Sequence, residues 1–476
     1  MTDMPIGEER RARGRAARQR APRGSHDRIG DVDRDPVELL KKSSAGRVEA
    51  LVPLRYGRML ASPFTFYRGS AIIQAHDLAA TPDSGIHLQI CGDCHLSNFG
   101  GFATPERALI FDLNDFDETA PGPWEWDLKR LIASFTVGGR HLGHGDAAAD
   151  EFAFCAAESY RLRMREYAEM GVLDLWYERI TFERMYDSVQ TDDARRRIKR
   201  GIERASRRTH ETVLPKLAEQ TANVWRIRDA PPAIFHIHGE NTLFQPTDDV
   251  MTLTEHRDEI LTPVLKEYFA SMTSERAALL KQFSIQDLVF KVVGVGSVGT
   301  RCTVLLLIDP HGKPLFLQLK EASKSVVSMF FKGAKHEARA PSHEGQRVVH
   351  GQRLMQAATD PFLGWSTGPF GRALYVRQLR DMKISAEPET FGADTFREYA
   401  GLCGWVLARA HAKAGGCALE IAGYMGTGQR LAEALVRYGR AYADQVEKDY
   451  DAFRAACRDG RLEARSDEDM AADFAP

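Results

Sequence analysis

Between residues 86 and 117 the chain alternates extended and polar stretches in a pattern that ties two polar turns to strand ends. Ile86-His87-Leu88-Gln89-Ile90 has period two and reads as a short strand running into Gly92-Asp93-Cys94-His95-Leu96-Ser97-Asn98. Ala108 to Leu113 reads as a second strand, ending on Asn114-Asp115-Phe116-Asp117. Side chains at such strand ends can converge on one cleft. An aspartate, an asparagine five residues on, and a further aspartate beyond a hairpin-sized gap are the residue types that phosphoryl transfer uses. One carboxylate receives a hydroxyl proton, while an amide and a second carboxylate offer hard oxygen donors to magnesium. Asp93 is therefore the candidate base, and Asn98 and Asp115 are candidate magnesium ligands. Asp117 either binds a second ion or extends the acidic turn. His95 supports the loop through a hydrogen bond, and Asp112 is expected to be paired locally.

A second motif lies far downstream. Gly294-Val295-Gly296-Ser297-Val298-Gly299 matches G-x-G-x-x-G, which has two chemical meanings. A dinucleotide-binding turn must open a helix whose N-terminus faces a pyrophosphate. Here Arg301 to Ile308 is β-branched and aliphatic, turns at Pro310-His311-Gly312 and returns through Leu315-Phe316-Leu317. A glycine turn between two strands is the flap that covers ATP phosphates in kinases. Lys320 ends the returning strand, where an ammonium can reach those phosphates; Glu344 is the candidate carboxylate that holds it, with the adjacent Glu321 and Gln352 as alternatives.

The remainder of the chain bounds these readings. Its 476 residues exceed one ordinary domain, and its balance (43% apolar, 27% charged, net charge −2) argues against a nucleic-acid coat. The longest aliphatic run, Val304 to Ile308, is far short of a membrane span, and no apolar stretch follows the Arg-rich start; the expected compartment is the cytoplasm. Seven scattered cysteines read as reduced thiols, with Cys91 and Cys94 forming the one C-x-x-C. Residues 1–36 read as a disordered basic arm, and the acidic last twelve residues as its counterpart. A helix should start at Asp35-Pro36, another should cover Phe66 to Leu78, and Asp127 should cap a helix carrying Leu128, Leu131 and Phe135. Several helices should fill 147–223 and two more 253–283, with one over 343–358. Leu374 to Leu379 reads as a strand, and an amphipathic helix through Leu402, Trp405 and Ala410 closes at Gly415-Gly416. Arg68, Arg377 and Lys383 can meet substrate or phosphate. His236-Ile237-His238-Gly239-Glu240-Asn241 is a rival metal constellation, since alternate strand residues face one side. Trp124 and Trp126 are read as core packing.

Several segments together resemble a bacterial family, the domain of unknown function 2252. They are Leu54 to Met59, Phe66 to Gly69, Cys91 to Gly100, Phe111 to Glu118, Pro123 to Leu131, Val376 to Lys383 and Leu407 to Ala412. The family in turn looks like a remote protein-kinase-like group, closest in motif to aminoglycoside and choline phosphotransferases. Their His-Gly-Asp-x-His-x-x-Asn loop is matched by Gly92, Asp93, His95 and Asn98, with Cys91 in the leading position. Their Ile-Asp-Phe turn is matched by Asn114-Asp115-Phe116, and their later Asp-Leu-Ala by Asp127-Leu128, whose carboxylate the resemblance assigns to bracing the catalytic loop. The resemblance implies a two-lobed α+β kinase-like fold that binds ATP and magnesium, with Gly294, Gly296, Ser297, Gly299 and Lys320 on the nucleotide. The order departs from the pattern, because the catalytic segments precede the flap and lysine. Circular permutation accounts for this, with a catalytic lobe over 37–283, a β-rich nucleotide lobe over 284–385 and a helical segment over 386–476 completing the first. The expected function is phosphoryl transfer to an unidentified hydroxyl, on a small molecule or a protein. The alternatives are AMP transfer on the same fold, a nucleotide-binding pseudokinase or scaffold, and a metal-dependent hydrolase, which would need neither flap nor lysine.

Overall fold

The computed structural model describes residues 6–476 apart from 208–209, 222–223, 239–241, 245–256, 334–340, 380–381, 473 and 475–476. The chain is a mixed α+β structure with several sheets. Its strands, in chain order, are β1 (His87–Ile90), β2 (Phe99–Ala103), β3 (Leu109–Leu113), β4 (Ala120–Pro123), β5 (Ala218–Thr221), β6 (Val224–Ile227), β7 (Ile234–Phe235), β8 (Ser284–Lys291), β9 (Cys302–Ile308), β10 (Pro314–Glu321), β11 (Gly364–Thr367), β12 (Ala373–Gln378) and β13 (Ile384–Ser385). Six of them form an antiparallel sheet in the order β11-β12-β10-β9-β8-β7. Its centre is aliphatic on both faces: Leu305, Leu317 and Val376 join one cluster, Val304, Leu306 and Phe316 the other. That burial explains why β9 and β10 read as near-continuous apolar runs.

The helical part is organised around Trp124–His141, most of which is buried. The helices Asp146–Tyr167, Ala393–Gly415 and Arg430–Arg458 pack around it. Trp124 is fully buried and stacks on Tyr160 with ring centroids 5.6 Å apart, so the tryptophans serve the core. Among the described residues, no helix is long and apolar enough to cross a membrane.

Several expected elements are present with their expected causes. Asp35 accepts from the amides of Val37 (2.8 Å) and Glu38 and opens the helix Pro36–Ser44, with Pro36 at its first position. The helix Ala393–Gly415 ends where Gly416 takes a left-handed conformation. The hairpin β8–β9, the strand β12 and the helix Glu344–Met355 lie where the periodicity places them.

Other expectations need correction. The stretch Phe66–Leu78 is not one helix but parts of two, Pro63–Gly69 and Ala71–Ala79, broken at Ser70. The break leaves the Gly69 carbonyl open, and Arg55 donates to it at 2.9 Å. Asp127 is not the cap: the helix begins at Trp124, and Asp127 lies in its first turn. β2, β4 and the hairpin β5–β6 were not expected; β4 contains two prolines and pairs only with β1, the edge position that proline tolerates.

The largest correction concerns the termini. Within the first 36 residues, Ile6–Ala16 is a helix that docks on the helix Ala418–Met425. Its arginines are used for contact rather than solvation. Arg10 donates to both oxygens of Glu420, each at 2.7 Å, while Arg18 and Arg23 bind the terminal carbonyls of Gly423, Tyr424 and Met425. Those carbonyls have no partner within their own helix and carry its negative pole, so guanidinium groups satisfy them twice over. At the other end, Met470 and Phe474 are buried against Phe235 and Phe290, and Asp467 pairs with Arg58. Composition missed both because charge was counted without its partners.

The two docked helices touch through glycines. A Cβ on Gly14 would lie 2.0 Å from the Glu420 carbonyl oxygen, and one on Gly423 would lie 2.3 Å from that of Arg11. Gly14→Val should therefore separate the N-terminal helix and cost about 2 kcal/mol in urea unfolding. Trypsin should then cleave between residues 10 and 20 of the variant while sparing the parent protein.

Candidate functional site

The loop after β1 is held from beneath by one carboxylate. Asp127, fully buried, accepts from the amides of Cys91 at 2.7 Å and Gly92 at 2.8 Å. It also contacts His411 Nε2 at 3.1 Å, and His411 Nδ1 meets the Tyr160 hydroxyl at 2.9 Å. Gly92 has a φ of +80°, and a Cβ there would lie 2.2 Å from the Glu118 carbonyl oxygen. Only glycine lets the loop turn this close to the acidic turn.

With its base fixed, the loop closes on itself. Asn98 donates its side-chain amide to the Asp93 carbonyl at 2.7 Å, and its own carbonyl accepts from Asn114 at 2.9 Å. This arrangement couples the two polar turns and leaves Asn98 Oδ1 as the free oxygen of that amide. His95 is buried and its Nδ1 accepts from the Ser97 amide at 3.2 Å. Burial, reinforced by Arg68 and Arg130, holds its imidazole well below the ordinary histidine range, in keeping with a support role.

Asp93 Oδ1 accepts from Arg130 Nε at 2.8 Å. Arg130 is itself fixed by Gln74 and the Tyr67 carbonyl, and its guanidinium lies 3.8 Å from the Tyr67 ring centroid. Burial raises the Asp93 carboxyl above the ordinary aspartate value, and Arg130 opposes this without cancelling it. Among the described residues Asp93 Oδ2 has no hydrogen-bond partner, and His95 Nε2 lies 4.0 Å from it.

The glycine turn meets these loops. Gly294, Gly296 and Ser297 line a cavity of about 140 Å³ together with Asp93, Asn98 and Asp115. A larger cavity of about 640 Å³, lined by Lys320, Gln318, Arg377, Gln378 and Lys383, shares Asp115, Gly294 and Ser297 with the first. Gly299 lines neither; its carbonyl accepts from Val48 at 2.7 Å and anchors the turn to the N-terminal segment.

Two assigned roles change here. Lys320 is ion-paired with Asp117, across 203 positions of sequence, and donates to Ser297 Oγ at 2.8 Å. Glu344 instead pairs with Arg347 on its own helix and lines neither cavity, so it is not the partner of Lys320. Asp117 takes that part. Its Oδ2 receives Lys320 and Ser297, and its Oδ1 receives the Tyr375 hydroxyl at 2.6 Å, which leaves it poorly placed as an ion ligand. Burial alone would raise Asp117, but Lys320 holds its carboxyl down at about 2. Among the described residues, no cation is ion-paired with Asp115. Burial and then Asp117 raise its carboxyl, which suits a site awaiting positive charge.

Arg347 was not anticipated. It donates to the carbonyls of Asp117 (2.9 Å), Thr119 (2.5 Å) and Ser323 (2.8 Å), joining the acidic turn to the end of β10. Arg130 was likewise missed, although its place three residues after Asp127, on the same helix face, was an available signal. Asp112 is paired, but through distant stretches of the chain rather than locally: Arg409 donates to it at 2.5 Å and the Ala357 amide at 2.8 Å.

The rival metal readings fare differently. His236 is bound on both nitrogens, to Asp229 at 2.8 Å and Asp287 at 3.1 Å; Gly239, Glu240 and Asn241 lie outside the described residues. Among the described residues, the metal-type cluster is Cys91, Cys94 and Asp127. Its carboxylate already serves two amides and a histidine, and burial pushes the Cys94 thiol up to about 11, so packing explains the pair.

No curated protein and no solved structure matches the chain. The sequence profile of the DUF2252 family, described as an uncharacterized protein conserved in bacteria, matches residues 47–456. That span contains the loop at 91–98, the acidic turn, the glycine turn, Lys320 and Asp127. The chain belongs to the DUF2252 family.

Proposed function

We propose that this protein is an ATP- and magnesium-dependent phosphotransferase of circularly permuted, kinase-like architecture, acting on a hydroxyl-bearing acceptor. One observation carries the reading: acids from the front of the chain line a single cavity with a glycine turn some 180 residues away, and the lysine beyond that turn is tied to the acidic turn. The order of elements supports it. A glycine turn joins β8 to β9, the lysine ends the third strand, a helix follows, and β11 and β12 complete the sheet, which is the series protein kinases use. Permutation gains support from packing: Gly415, at the end of Ala393–Gly415, lies against Leu88 in β1, so the helix that would precede the catalytic loop ends beside it.

The donor set suits a small hard cation, since Asn98 Oδ1 and the Asp115 carboxylate are oxygen ligands on one cavity wall. Magnesium with ATP supplies the phosphoryl group and the counter-charge it needs. The larger cavity has the volume of a cofactor site. There Lys320, oriented by Asp117, and the backbone amides of the glycine turn would hold the phosphates and supply positive charge to them. In the smaller cavity Asp93 receives the acceptor's proton on Oδ2, its other oxygen being fixed by Arg130. The acceptor oxygen bonds to the γ-phosphorus as the bond from that phosphorus to its bridging oxygen breaks. A base with a raised pKa takes a proton more readily, so desolvation of Asp93 works in the direction the step requires.

ATP with magnesium at about a hundred times Kd should stabilise the protein by roughly 2.7 kcal/mol, and Asp115→Asn should remove most of that gain. A flat melting curve across the titration would end the nucleotide reading. Once an acceptor is in hand, Asp93→Asn should lower kcat by about 10²–10⁴ with ATP binding retained. Because Asp93 must be ionised to act, kcat/KM should fall as pH drops, with an apparent pKa above 3.8. Label transferred from the α- rather than the γ-phosphate would mark nucleotidyl transfer instead.

A further inference from the structure

The smaller cavity has an unusual charge balance. Most of its acids are matched by cations: Asp93 by Arg130, Asp117 by Lys320, and Glu321 by Arg301 and Arg372. Asp115 is the proposed metal ligand, and Glu118 accepts from the Val326 amide, with burial lifting its carboxyl to about 7. Three arginines of the same wall have no such match. Among the described residues, Arg47, Arg55 and Arg68 form no ion pair with any carboxylate.

Their hydrogen bonds go to neutral groups. Arg47 donates to the carbonyls of Ser43 and Val298, and Arg55 to the hydroxyls of Ser43 and Ser44 and the carbonyl of Gly69. Arg55 is 1% exposed, and the buried Nε atoms of both Arg55 and Arg68 have no hydrogen-bond partner. Burying a guanidinium without a counter-ion is costly, and three around one cavity of 140 Å³ compound the cost through mutual repulsion. An anion entering the cavity would relieve both penalties and supply the missing acceptors.

We infer that the smaller cavity is an anion subsite, and that the acceptor is a small alcohol carrying a phosphate or carboxylate group that Arg68 and Arg47 bind while its hydroxyl meets Asp93. This rests on the phosphotransferase reading for the role of Asp93, and on the arginines alone for the anion. Phosphate chemistry has two sources here, the acceptor or the nucleotide's own terminal phosphate, and competition separates them.

The test uses the full chain and inorganic phosphate, followed by calorimetry with and without a saturating non-hydrolysable ATP analogue and magnesium. Saturable binding is expected near about 1 mM or tighter, retained when the analogue is bound. Arg68→Gln should weaken it about tenfold or more, with Arg47→Gln acting in the same direction. If phosphate and analogue exclude each other, the arginines serve the nucleotide and the acceptor assignment is overturned. If the analogue binds and phosphate shows no saturation, the subsite is overturned while the nucleotide reading stands. If phosphate binds to the arginines and the analogue does not bind, the subsite survives and the phosphotransferase reading fails.

Discussion

The Asp127 carboxylate is the constraint from which the site is assembled. It takes the two amides at the start of the loop after β1 and, through His411, links them to the helix Ala393–Gly415. Three stretches far apart in the chain thereby share one buried carboxylate. A loop with two amides aimed inward would otherwise leave them unsatisfied, a cost that this interaction removes. Everything the loop presents outward, Asp93, His95 and Asn98, depends on that inward anchoring.

Above this anchor the site is a network of opposite charges in which each carboxylate has a distinct environment. Asp93 is held by Arg130, Asp117 by Lys320 and Tyr375, and Asp112 by Arg409, while Asp115 stays without a bound cation. Environment, not residue type, separates one carboxylate from the next. Arg347 adds a further tie, since its bonds to the carbonyls of Asp117, Thr119 and Ser323 join the acidic turn to the segment that follows β10.

The N-terminal segment takes part in the site as well. Arg47, Val48 and Arg58 bond to the carbonyls of Val298, Gly299 and Gly294, clipping the glycine turn from outside. The glycine turn is thus buttressed by residues that precede the loop after β1. The same segment brings Arg47, Arg55 and Arg68 to the cavity. The turn and the arginine wall consequently form a single construction.

Local pattern alone was enough for β1, β3, the hairpin β8–β9 and the helices with strong caps, because alternation and capping act over a few residues. It also nominated Asp93, Asn98 and Asp115, which sit in two short polar turns, and Lys320 from its place near a strand end. What it lacked was partnership across distance. Lys320 selects Asp117 over the helix-borne Glu344, which Arg347 already engages, and the N-terminal arginines find helix-end carbonyls more than 400 positions away. Charge in a sequence is visible, but its counter-charge is chosen by packing. Residue identities therefore decided which polar groups are available, and tertiary contact decided which of them line a cavity and which pair with each other.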